Sequence, residues 1–400
     1  MRSPQPTDVT SQAPTRDAVL EALKAVIDPD LGKDIVTLGF ITRCDVSPEG
    51  DVSVVINLTT PACPVKDKMQ EQARGLIAAL PGVKDIDVEM TAEVKGPAGP
   101  PRDAAKDVRH IVAVSSGKGG VGKSTVAVNL ACALAQTGAH VGQLACDLHG
   151  PDVPKMKGLA RQPAQDQIAG KTKHVPKERR GIKTMSIGYL VPDDQPVIWR
   201  GPMVHSFITQ MLTDVEWGEL DYLLVDMPPG TGDAQLSLAQ VVPLSGSVLV
   251  TTPQAVAAFD VTKAISMFRQ VKVPILGIVE NMSGMVLEGA VEGGEAGSEV
   301  SLSLGAQTHT VPLAAGGTFR ATFDVFGSGG AEALAQQHGF PVLGHVPLDP
   351  SVRAGGDGGE PIVAHTKENE SAAAAALRET AGRLAQRLAV KAFSSLPILD

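Results

Sequence analysis

The stretch Val112–Thr125, VAVSSGKGGVGKST, constrains the fold of this chain more than any other. An apolar run, Ile111–Val114, leads into a turn with four glycines and two lysines, and an alanine-rich helical pattern begins directly after Gly122-Lys123-Ser124. Strand, glycine-rich loop and helix form the context in which G-x-x-x-x-G-K-[ST] cradles phosphate. Small residues let successive backbone N–H groups turn inward onto phosphate oxygens, and the new helix adds the positive end of its dipole. The residues expected around the phosphates are Gly117, Lys118, Gly119, Gly120, Val121, Gly122, Lys123, Ser124 and Thr125. In such a loop Lys123 reaches the β- and γ-phosphates of a nucleotide such as ATP, and Ser124 ligates Mg²⁺.

Beyond the loop, strand and helix patterns alternate, which predicts an α/β P-loop NTPase domain with a mainly parallel sheet wrapped by helices on both faces. The expected strands are Arg109–Ser115, Val141–Asp147, Tyr222–Asp226, Ser247–Thr251, Ile275–Glu280 and Val342–Val346. Helices are expected at Lys123–Thr137, Met203–Met211, Asp233–Val242, Phe259–Val271, Ala331–His338 and Ser371–Val390. The segment 285–324 breaks the alternation. It is rich in Gly and Glu, then carries short β-like pieces at Val300–Leu304 and His309–Pro312, and reads as a long surface insert with a hairpin.

The front of the chain is different. Lys95–Asp107, KGPAGPPRDAAKD, reads as a linker, and before it lies a small α+β domain over 15–94. There Thr15 caps a helix over Ala18–Ile27, strands are expected at Phe40–Val46, Val52–Leu58 and Val83–Met90, and a helix at Lys66–Ala79. Residues 1–14 and 393–400 read as tails, which leaves 108–392 for the P-loop domain. The start is polar and lacks an apolar signal core, and no apolar segment approaches membrane-spanning length, so a cytoplasmic protein without a membrane partner is expected. The excess of 44 acidic over 35 basic residues argues against nucleic acid as a partner.

Two further motifs complete the expected nucleotide site. Asp226 closes an apolar strand and is placed to hold Mg²⁺, and the following Pro228-Pro229-Gly230-Thr231-Gly232-Asp233 reads as a loop that senses the γ-phosphate. Asp147 has two readings: it orients the attacking water, or it is a capping aspartate. The additional lysine, Lys118, makes the loop a "deviant" K-G-G-x-G-K-[ST], which resembles that of the ParA/MinD/ArsA/NifH group of ATPases. The resemblance implies a homodimer in which Lys118 reaches the nucleotide of the partner subunit, a charge supplied in trans to the γ-phosphate.

SSGKGGVGKST, DLHGPDVP, DMPPGTGD, TTPQAVAAFDVTKA, ENMS, FGSGGAEALA and VPLDPSVRAGGDGGEPIV occur in that order. Together they resemble the Mrp/ApbC branch of these ATPases, the iron–sulfur cluster carriers. DPDLGKDIVTLGFI and LTTPACPVKDKMQ are similar to the iron–sulfur assembly domain that many members carry in front. The resemblance implies hydrolysis of ATP, binding of iron–sulfur clusters and their delivery to apoproteins or assembly factors. It also implies that Asn281 of ENMS contacts the adenine base, where an amide can pair with the purine edge; a turn residue is the alternative for Asn281. A second reading of the whole chain is a MinD/ParA-like dimeric switch that acts on a protein partner without carrying a cluster.

In one respect the chain departs from the family. Carriers usually place a C-x-x-C between ENMS and FGxGGA, so that two subunits bridge one cluster with four thiolates. Here no cysteine lies between Gly284 and Val325; the four cysteines are Cys44, Cys63, Cys132 and Cys146. Cys63, in TTPACP at a loop-to-helix junction, is the candidate cluster thiol, because a helix N-terminus can lower a thiol pKa. Its alternative is a packed, inert thiol, the role expected of Cys132.

Overall fold

The computed structural model describes residues 13–96, 105–147, 152–159, 164–168, 171–189, 201–230, 232, 235–236, 239–240, 242–365 and 370–394. Most of both tails, residues 97–104 of the linker, and parts of the Asp233–Val242 helix and of the PPGTGD loop lie outside the described residues. The chain forms two units, residues 1–95 with 389–400 and residues 96–388. The last helix, Ala372–Ser394, runs past the point where a tail was expected.

In the first unit Thr15 caps the helix Arg16–Leu23 by accepting from the Ala18 N–H at 3.2 Å. This helix stops four residues short of the expected Ile27, because Asp28 Oδ1 accepts from the N–H groups of Asp30 and Leu31, each at 2.9 Å, and turns the chain. Strand Ile41–Val46 pairs antiparallel with Asp51–Leu58, which pairs parallel with Asp85–Ala92. The helix Lys66–Ala78 covers the sheet, and Val19, Leu23, Ile56, Met69, Ile77 and Val88 form the core.

The second unit is built on a nine-stranded sheet. Val108–Ser116 lies between Leu220–Asp226 and Gly246–Thr251, parallel to both. Central position explains its composition: Ile111, Val112, Ala113 and Val114 are all 0% exposed, as an apolar run covered on both faces must be. Val141–Ala145 and then Ile182–Ser186 extend the sheet in parallel beyond Leu220–Asp226, and Lys177–Arg179 closes that edge antiparallel. On the other side Ile275–Ala290 pairs parallel with Gly246–Thr251 and with Val342–Leu348. Among the described residues no helix is long and apolar enough to cross a membrane.

The segment 285–324 is not a detached surface loop. The strand expected to end at Glu280 continues to Ala290, and Thr318–Phe323 pairs with its extension antiparallel, from Met285↔Phe323 to Ala290↔Thr318. A register shift between Asn281 and Met285, with Met282 at φ 57° and Gly284 at φ 70°, re-aims the strand rather than ending it. The expected hairpin is present as Glu299–Leu304 against Gln307–Pro312.

Candidate functional site

The loop Gly117–Gly122 leaves the carboxyl end of the central strand and enters the helix Lys123–Ala135. Two positions require glycine. A Cβ on Gly117 would lie 2.3–2.5 Å from the backbone of Asp260 and Val261, so the helix Ala255–Gln270 presses directly on the loop. Gly122, at φ 80°, sets the left-handed turn into the helix, and a Cβ there would meet Asn281 Nδ2 at 2.2 Å. No side chain caps this helix. Its leading N–H groups remain available for phosphate oxygens, as anion binding at a helix N-terminus requires.

Lys123 is 5% exposed and points away from solvent into the strand ends. Its Nζ donates to Asp226 Oδ1 at 2.6 Å and to Ser124 Oγ at 3.2 Å, and lies 3.7 Å from Asp147 Oδ2. Strand register produces this convergence: Asp226 pairs with Val114 on one side and Ala145 on the other, which places the ends of three strands together. Asp147 lies two residues past its strand, which ends at Ala145 rather than at Asp147 as expected. Burial pushes the Asp226 carboxyl up, and the Lys123 ammonium beside it pulls it back. Asp226 Oδ2 is buried without a hydrogen-bond partner. A buried acceptor left open beside a hydroxyl is a donor set that fits Mg²⁺, a cation that prefers oxygen ligands.

Lys118 sits on the same loop but faces differently. It is half-buried, and no carboxylate among the described residues pairs with it. The loop is braced there by the Ser116 hydroxyl, which donates to the Lys118 carbonyl at 2.9 Å. Beyond Asp226, Met227 N–H donates to Val114 O at 3.0 Å and Gly230 N–H to Ser116 O at 3.2 Å, so the PPGTGD segment is tied to the P-loop strand.

Asn281 is buried on the other side of the loop, where its Nδ2 donates to Val121 O at 2.9 Å. That bond leaves Oδ1 as the free acceptor. A cavity of about 410 Å³ opens beside it, floored by Gly122, Thr125, Asn281 and Met282 and walled by Lys155, Met156, Val352, Arg353 and Asp357. Sequence reasoning found Asn281 but not the walls. The wall helix Pro350–Gly358 contains Gly355, Gly356 and Gly358 and is absent from the expected helices; its visible signal is Asp349 as N-cap with Pro350 after it. Close by, His345 Nε2 lies 2.7 Å from Glu332 Oε1 while its Nδ1 lies 3.4 Å from Glu280 Oε1, and this pair of carboxylates raises the imidazole pKa.

None of the thiols is poised as a thiolate. Cys44, Cys132 and Cys146 are buried, and burial pushes each of them up. Cys63 is half-buried three residues before the start of the helix Lys66–Ala78. The amides of Val65 and Lys66 do lower its pKa, as a helix start should, but burial and the nearby Asp28 and Asp30 outweigh them and the thiol is raised. The expected acidic thiol is therefore not present.

Known proteins resemble this chain along most of its length. A family described as NUBPL iron-transfer P-loop NTPase matches residues 107–313 and 314–385, and one described as iron–sulfur cluster assembly protein matches residues 16–90. The chain is 46% identical over 385 residues to the iron–sulfur cluster carrier protein of Deinococcus radiodurans, covering 95% of this chain and 98% of that one. It is 44% identical over 381 residues to the iron–sulfur cluster carrier protein of Synechocystis, covering 95% and 99%. With the chloroplastic Fe-S cluster assembly factor HCF101 of Arabidopsis thaliana it shares 42% identity over 348 residues, 86% of this chain and 59% of that one.

Proposed function

The chain belongs to the family of NUBPL iron-transfer P-loop NTPases, and from that membership we propose that it is an ATP-hydrolysing carrier that binds iron–sulfur clusters and hands them to apoproteins. The Lys123–Asp226 contact at 2.6 Å is the observation that carries the nucleotide half of this reading. With ATP bound, Lys123 would turn from its carboxylate to the β- and γ-phosphates, and Ser124 and Asp226 would hold Mg²⁺. Mg²⁺, when bound, offsets charge on the phosphate oxygens. Asp147, already directed at Lys123, orients the attacking water.

Base recognition follows from Asn281. One of its two amide N–H groups is bonded to Val121 O, which leaves Oδ1 as an acceptor and the second N–H as a donor for a purine edge. Oδ1 can accept from the exocyclic amine of adenine. The Lys118 side chain pairs with no carboxylate of its own subunit among the described residues, which supports a role across a homodimer at the partner's γ-phosphate.

The cluster is cargo, and its thiolates are the sparse element of the site. Cys63 is the proposed ligand because Cys44, Cys132 and Cys146 are buried. Ligation by Cys63 draws the remaining ligands, about three more, from a second subunit or a client, since a cluster takes about four. The relatives are named as carriers and assembly factors, which supports a carrier over a switch that moves no cluster. A cytoplasmic setting accords with the four free cysteines. Anaerobic incubation of the full chain with iron and sulfide, with and without MgATP, tests the proposal. Bound iron and sulfide in equal amounts, with a charge-transfer absorption, are expected; protein that stays colourless and metal-free while hydrolysing ATP contradicts the carrier reading.

A further inference from the structure

The cavity beside Asn281 has two thin walls. One is the single turn Val153–Met156, anchored just beyond by buried Lys157, whose Nζ donates to Thr184 Oγ1 at 2.7 Å. The other is the helix Pro350–Gly358, in which no residue is buried. An element with no fully buried side chain gains little from core packing, so polar contacts at its ends help to fix its position. At its start Asp349 Oδ1 accepts from the Ser351 N–H at 2.8 Å.

At its end the two walls meet. A Cβ on Gly359 would lie 2.6 Å from Gly158 Cα and 3.1 Å from Lys155 O, so the two backbones touch. Arg179 ties them: Nη1 donates to Lys157 O at 2.9 Å and to Gly158 O at 2.8 Å, while Nη2 donates to Glu360 Oε1 at 2.7 Å. The second oxygen of Glu360 accepts from Arg180. One guanidinium thus grips the end of the first wall and, through a carboxylate, the end of the second.

We propose that Glu360, bridging Arg179 and Arg180, is a positioning residue that sets the width of the base cavity, so that nucleotide affinity depends on a carboxylate that never touches the nucleotide. The inference rests on reading this cavity as the base-binding part of the nucleotide site. A single half-exposed ion pair contributes little, but here one carboxylate accepts from two guanidiniums, one of them oriented by two carbonyls. Without the bridge the glycine-rich wall spends part of its time displaced, and apparent affinity falls in proportion to the closed fraction.

The test is calorimetric titration of full-length protein with MgATP and, separately, with inorganic tripolyphosphate, which occupies the P-loop without a base. Glu360→Gln should weaken ATP by about fivefold and leave tripolyphosphate unchanged, and Arg180→Gln should do the same to a lesser degree. Unchanged ATP affinity in both variants overturns the clamp. Equal weakening of ATP and tripolyphosphate also overturns it, because that is general loosening. Absence of ATP binding by the wild type overturns the reading of the site itself, and the clamp with it.

Discussion

Lys123 Nζ lies 2.6 Å from Asp226 Oδ1, and both groups are almost fully shielded from solvent. Neither residue is left with an unpaired charge, yet the second oxygen of Asp226 has no partner. A buried pair of this kind is costly to halve, because removing one member strands the other. The pair therefore links the proposed catalytic role of the loop to its folding.

Lys123→Ala should lower ATP turnover by more than about 100-fold, since a charge aimed at the transferring phosphate is lost. It should also lower the thermal midpoint, because Asp226 is left buried and unpaired. Turnover and melting measured on one preparation check both parts. Full activity in the variant would remove the P-loop from the mechanism.

Lys118→Ala should bind ATP but hydrolyse it poorly, because in the proposed homodimer the missing charge serves the neighbouring subunit's site. Mixing it with Asp147→Ala should form hybrid dimers that regain partial activity at one site. Hybrids that form yet show no regained activity argue for a role in cis.

Lys157 supplies a pH prediction. Burial lowers its pKa to about 8, against 10.5 for a free lysine. Between these values the unfolded chain holds a proton that the folded chain has released, so this residue makes stability rise with pH from about 8 to about 10.5. Below pH 8 the folded state bears the full cost of the buried charge, about 3 kcal/mol. Lys157→Met should abolish that rise and be neutral or stabilising at pH 7. Chemical denaturation at several pH values, compared between the two proteins, decides it; parallel profiles would contradict the assignment.

What the sequence made legible is local. The P-loop, the Asp226 strand and the Thr15 cap each announce themselves within a few residues, through glycine spacing, an apolar run or a capping side chain. Three features escaped for identifiable reasons. Ile275–Ala290 was cut short because Asn281, Met282, Ser283 and Gly284 carry the signs of a turn, while the chain uses them as a kink inside one strand. Pro350–Gly358 hides behind its glycines, since helix propensity there is overruled by a cap at one end and a clamp at the other. The clamp joins Arg179 and Arg180 to a glutamate 181 and 180 residues away, and no local periodicity can report such a pairing. Cys63 shows the reverse: the helix-start effect read from sequence is real, but burial, which depends on the tertiary fold, outweighs it.

A carrier must hold a cluster and pass it on. Its most direct test is transfer: reconstitute the wild type and Cys63→Ser anaerobically, remove free iron and sulfide, add an apo iron–sulfur protein, and follow that acceptor's activity with and without MgATP. The account predicts that the wild type activates the acceptor, that Cys63→Ser holds and delivers little cluster, and that both hydrolyse ATP alike. An ATP-hydrolysing wild type that delivers no cluster to the acceptor would contradict it.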